Sequence, residues 1–126
     1  MMTEKEAKCL YDEILVIDGL NVSNWDSPSV FQNLRDGGVS AINATIATWE
    51  NFTQTLNHIS AWQPRFEQYA SMVTQAKTVD DILEAKKNGK TGVIFGFQNA
   101  SPVENHLDRF AIFYELGVRI IQLTYH

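Results

Sequence analysis

The sequence predicts an α/β fold built from parallel (β/α) units with about four strands. Two observations carry this. Short aliphatic and β-branched runs alternate along the chain with segments of helical period, and each crossover helix returns the chain to the same sheet edge. The run at 14–17 is continuously apolar, and the one at 91–98 is broken only by glycine between Thr91 and Gln98, as expected of strands covered on both faces. At 126 residues the chain has room for one domain of ordinary size, and residues 1–126 are read as a single unit.

Each element has its own signal. Residues 3–13 carry Ala7, Leu10 and Tyr11 on one side of an amphipathic helix. The first strand is Ile14-Leu15-Val16-Ile17, stopping at Asp18-Gly19. Ser27-Pro28 starts a helix, because Ser can cap free amides and Pro suits the first helical position; Gly37-Gly38 ends it. A second strand is expected over about 39–46. The segment 50–77 is helical in pattern, with Phe52, Leu56, Ile59, Phe66, Tyr69 and Val73 at helical spacing and Pro64 placed to kink or split it. Thr78 with Asp81 forms a near capping box for the next helix, and Lys86-Lys87-Asn88-Gly89 marks its end. The third strand is 91–98; its glycines, Gly92 and Gly96, fit close approach of a backbone or helix better than a phosphate loop. Ser101-Pro102-Val103-Glu104 reads as a helix start leading through Leu107, Phe110, Ala111 and Tyr114 to Gly117, and 119–124 is the fourth strand. Four parallel strands make either a small open sheet or half of an eight-stranded barrel.

Composition narrows the function. Ten Lys+Arg against fifteen Asp+Glu give a net charge of -5 with no basic cluster, which argues against nucleic acid. No stretch approaches the roughly 20 apolar residues of a membrane span. The N-terminus lacks the order of a secretory signal, and the single Cys9 fits a reducing compartment, so a cytoplasmic protein is expected.

In parallel α/β folds ligands meet the carboxyl ends of the strands. Here those positions carry amides and hydroxyls: Asn21, Asn43, Thr45, Gln98, Asn99, Thr124 and Tyr125. Asp18 either meets a ligand or caps the turn that follows it. His58 and His106 read as surface residues of helices, while His126 is either a chain end or a site group. Cys9 has no basic surroundings that would activate a thiolate. Trp25, Trp49 and Trp62 either line a pocket near the first two strand ends or pack at its rim.

Three segments together resemble the membrane (renal) dipeptidase family, peptidase family M19 of the amidohydrolase superfamily. They are Val16-Ile17-Asp18-Gly19, the run Thr91-Gly92-Val93-Ile94-Phe95-Gly96-Phe97-Gln98, and Phe113-Tyr114-Glu115-Leu116-Gly117-Val118-Arg119 leading into Leu123-Thr124. The resemblance covers nearly the whole chain. It implies the N-terminal half of a (β/α)8 TIM barrel and, for the family, dipeptide hydrolysis with two zinc ions. The family's His-x-Asp metal pair falls on Leu20 and Val22, and its metal-bridging Glu falls on Gln98. A neutral amide cannot supply the charge that holds two cations together. The family's substrate-contacting His falls on Tyr125, with His126 one place later. No zinc or other cofactor is therefore expected in this chain, and no turnover by it alone. The candidates for contact with a dipeptide-like small molecule are Asp18, Asn21, Gln98, Tyr125 and His126. A homo-oligomer joined through exposed sheet edges is expected. Two alternatives stay open: a one-metal amidohydrolase in a longer form, and a non-catalytic module for small-ligand binding or assembly.

Overall fold

A computed structural model describes residues 2–125. In chain order the elements are α1 (Glu4–Glu13), β1 (Ile17–Asn21), α2 (Pro28–Asp36), β2 (Ala41–Ala47), α3 (Phe52–Ser60), α4 (Trp62–Gln68), β3 (Val73–Gln75), α5 (Val79–Lys87), β4 (Thr91–Phe97), a 3-10 turn (Ser101–Val103), α6 (Arg109–Glu115) and β5 (Val118–Ile121). All strand pairs are parallel, and the sheet runs β1-β2-β4. The outer edge of β4 is divided: β3 pairs with Thr91–Val93 and β5 with Phe95–Phe97.

Strand alternation sorts the sheet into two faces. Ile42, Ala44, Val93 and Phe95 form the main core with Phe31 of α2, Ile59 of α3, Trp62 of α4 and Phe113 of α6. Fully burying one such side chain stabilises by roughly 1.5–3 kcal/mol. Ala41 and Ile94 alternate to the other face, where they meet Ala76 and Ile82 of α5 in a smaller cluster.

The expected elements form, with three corrections. The first strand lies later than 14–17, at Ile17–Asn21, and is an edge strand rather than a doubly covered one. Ile17 is 49% exposed because no element of the described chain covers that side of it. The segment 50–77 is two helices and a fifth strand. Its break falls at Ala61, and Pro64 sits within the first turn of α4, where an amide needs no partner. Ser101-Pro102 opens only a 3-10 turn, which Glu104 ends with φ 54°. Ser101 Oγ donates to Glu50 O (3.1 Å), and Glu104 accepts from the Phe52 amide (3.2 Å), so both caps serve the start of α3 instead. His106 consequently lies before α6 rather than within a helix.

Candidate functional site

Four of the five expected contact residues lie among the described residues; His126 lies outside them. Asp18 and Asn21 bind one another. Asp18 Oδ2 accepts from Asn21 Nδ2 (2.8 Å), while its Oδ1 accepts from the Leu20 amide (3.1 Å). Asn21 Oδ1 in turn accepts from the Ser23 amide (3.0 Å), so the pair shapes the loop after β1. Their register sets them beside Ile42 and Ala44, on the side the helices cover. Gln98 alternates to the opposite side, where its Nε2 donates to Thr45 Oγ1 (2.9 Å). Beneath it, Asn43 is 5% exposed and donates through Nδ2 to Gly19 O (2.9 Å), while Asn43 Oδ1 is buried without a partner among the described residues. Tyr125 packs against Trp49 at 4.8 Å between ring centroids. The structure thus does not gather Asp18 and Asn21 with Gln98 into one constellation.

What it does gather is a cleft of about 400 Å³ above the carboxyl ends of β1 and β2. Its walls include Asn24, Trp25 and Asp26 from the loop after β1, Thr48 and Glu50 after β2, His58 of α3, and Trp62 and Arg65 of α4. The two tryptophans pack at 5.0 Å, and Trp62 is buried to 2% exposure as part of the core. Arg65 pins the β1 loop to α4: its Nε donates to Trp25 O (3.1 Å), and its guanidinium pairs with Asp26 at 2.6 Å. Trp49 stands away from the cleft, 61% exposed.

Glu50 is the group whose environment is most specific. Its Oε2 accepts from the Thr48 (2.6 Å) and Trp49 (3.0 Å) amides. Partial burial pushes the carboxyl up. The backbone amides of Thr48, Glu50 and Trp49, with the His58 charge, outweigh that and hold it below its ordinary value of 4.5. His58 Nδ1 lies 2.8 Å from Ile46 O. A carbonyl only accepts, so Nδ1 carries a proton there. His58 lies on the exposed surface of its helix, as expected, yet its ring is fixed against the end of β2. Sequence reasoning missed Glu50, His58 and Arg65. The usable signal was the position of Glu50, three residues past Ala47 at the strand's carboxyl end.

Among the described residues no group of three or more His, Cys, Asp or Glu is placed to hold a metal ion. No helix is long and apolar enough to cross a membrane.

The comparisons with known proteins agree on a family. The family model for membrane dipeptidase (peptidase family M19) matches residues 5–126. No curated protein matches the chain at a significant level. Among solved structures, an amidohydrolase from Pseudomonas aeruginosa superposes with a TM-score of 0.86 at 34% identity, over 93% of this chain and 36% of that one. The probable dipeptidase PvdM from Pseudomonas aeruginosa gives 0.82 at 16% identity, over 96% of this chain and 37% of its own. The metallopeptidase dipeptidase AC, of family M19, gives 0.67 at 13% identity, over 86% and 42%. The last two likenesses speak for the fold. The chain spans 36–42% of the length of these solved relatives. With its parallel (β/α) sheet and a family match over nearly all of its residues, the chain belongs to the membrane dipeptidase family, peptidase family M19.

Proposed function

We propose that this chain is the scaffold part of a dipeptidase-like amidohydrolase and does not hydrolyse dipeptides by itself. The observation that carries the reading is the chemistry at the positions where the family resemblance places metal ligands. Leu20 and Val22 offer only hydrocarbon there, 53% and 69% exposed. Gln98 offers a neutral amide whose nitrogen is committed to Thr45 Oγ1. Zinc takes thiolate, imidazole or carboxylate ligands, so these residues do not fit a zinc pair. In this reading Gln98, Thr45 and Tyr125 supply neutral hydrogen-bonding groups to a dipeptide-like molecule, and Asp18 with Asn21 holds the loop that borders it.

The test is hydrolysis of a dipeptide panel by the purified chain supplied with zinc, together with its zinc content after exchange into metal-free buffer. No turnover and no stoichiometric zinc are expected. Turnover that a chelator removes and zinc restores overturns the reading.

A further inference from the structure

Val22 is the one position assigned to metal by resemblance that lines the cleft above β1 and β2, and it offers only hydrocarbon there; the cleft's polar chemistry comes from other residues and is one-sided. Arg65 and Asp26 neutralise one another at 2.6 Å. That leaves the Glu50 carboxylate as the uncompensated charge when His58 is neutral. Glu50 Oε2 accepts from two backbone amides, which fixes the carboxylate at the wall of the cleft. His58, fixed through Nδ1 on Ile46 O, stands beside it and adds a second acceptor at Nε2 whenever its ring is neutral. A held carboxylate with no paired cation selects a cationic donor with several N–H bonds. Beside them Trp25, backed by the buried Trp62, gives an aromatic wall that suits an apolar body. A cleft of about 400 Å³ is the size of a small-molecule site.

We propose that this cleft binds a primary ammonium group on a short apolar body, the ammonium on the Glu50 carboxylate beside His58 and the apolar part on Trp25. The site stands whether or not the chain has peptidase chemistry. An acidic or phosphorylated ligand is disfavoured, because it would meet Glu50 with the arginine already engaged.

Tryptophan fluorescence reads the site directly, since two of the chain's three tryptophans line it. In a Trp49→Phe chain only those two report. Isopentylamine is titrated against its neutral and anionic analogues, isopentanol and isovalerate. A saturable change is expected with the amine, and binding about tenfold weaker or worse with the other two. Glu50→Gln keeps an acceptor for the Thr48 and Trp49 amides while removing the charge, and is expected to weaken the amine about tenfold. Glu67→Gln, an exposed carboxylate on α4, is expected to leave it unchanged. Far-UV circular dichroism confirms that each variant is folded, and the three-ligand comparison on the Trp49→Phe chain stands even if Glu50→Gln is not. Equal binding of amine and alcohol, tighter binding of isovalerate, or an unchanged folded Glu50→Gln chain overturns the proposal. Leucinamide and its N-acetyl form then separate the two sources of such a group: gain from leucinamide over isopentylamine assigns a peptide amino terminus, and no gain assigns a free amine.

Discussion

Gly96 faces the amide of Asn43 from the neighbouring strand, and a Cβ built there would overlap Asn43 Oδ1. That amide is already held by the bond from Nδ2 to Gly19 O, and so cannot swing away without breaking a link between β1 and β2. Gly96→Ala is therefore expected to destabilise the chain by about 1–3 kcal/mol, the usual effect of overfilling a packed position. Urea unfolding would show it as a lower midpoint, and adding Asn43→Ala to the same chain is expected to restore part of the loss by removing the obstacle. An unchanged midpoint for Gly96→Ala would show that the amide has room to move. The two glycines inside this strand were legible as places of close approach. At Gly92 the tight neighbour of a built Cβ is the Ala76 side chain at 3.2 Å, with the Ser40 carbonyl at an ordinary 3.6 Å. Gly96 also makes room for a side chain, here a polar one, which no local pattern announces. The same limit hid Glu50: its held carboxylate depends on a turn of backbone amides, and turn geometry is not written in residue type alone.

The caps show where local signals suffice. Thr78 Oγ1 accepts from the Asp81 amide (3.2 Å), and Asp81 Oδ2 accepts from the Lys77 and Thr78 amides (both 2.8 Å). The Lys77 amide first, and then the Thr78 hydroxyl, hold the Asp81 carboxyl below its ordinary value of 3.8. The folded value is the depressed one, so this box stabilises α5 above about pH 4 and loses that contribution as pH falls through the folded value. Asp81→Asn is accordingly expected to melt lower than the unchanged chain at neutral pH, with the gap closing in acid; a gap that does not vary with pH would contradict this. The α5 box was readable because all its partners lie within five residues. Ser101 and Glu104 carry the same local signal, yet their bonds go to Glu50 and Phe52 across the fold. Glu104 also pairs with Arg109, whose guanidinium lies 4.3 Å from the Phe52 ring centroid, so this loop is fastened to α3 rather than beginning a helix. Likewise β3 was hidden inside a helical pattern. Phe66 and Tyr69 belong to the end of α4, while Val73 is buried as part of a strand, and their spacing agrees with one helix by coincidence.

At the scale of the whole molecule, the helices cover one face of the sheet and leave much of the other open. Ile17, Leu20, Val22 and Ile120 are all exposed, and the outer edge of β1 has no strand partner among the described residues. The relatives it matches carry well over half their length beyond the matched part. Apolar exposure with unpaired edges drives association. The chain alone is expected to self-associate through these edges, its sedimentation coefficient rising with concentration, and Ile17→Lys with Ile120→Lys to shift it toward monomer. Sedimentation as a monomer at every concentration would count against this. The parallel (β/α) order was legible because helical and strand periods alternate cleanly. The side of the sheet on which a strand-end residue falls was not: a register shift between Asp18 and Asn21 brings Asn21 beside Ala44, on the side of Asp18 and away from Gln98.

The divided edge of β4 has a dynamic consequence. A strand zipped by one long partner opens along its length or not at all. Here two short pieces share the work, and they meet where Gln75 Nε2 donates to Leu116 O (3.1 Å). Loss of the β5 pairing frees the amides opposite Phe95–Phe97 while β3 still guards Thr91–Val93. The last strand can therefore breathe as its own unit of local unfolding, baring the carboxyl end of β4 and Gln98 beside it while the rest of the sheet stays closed to exchange with solvent.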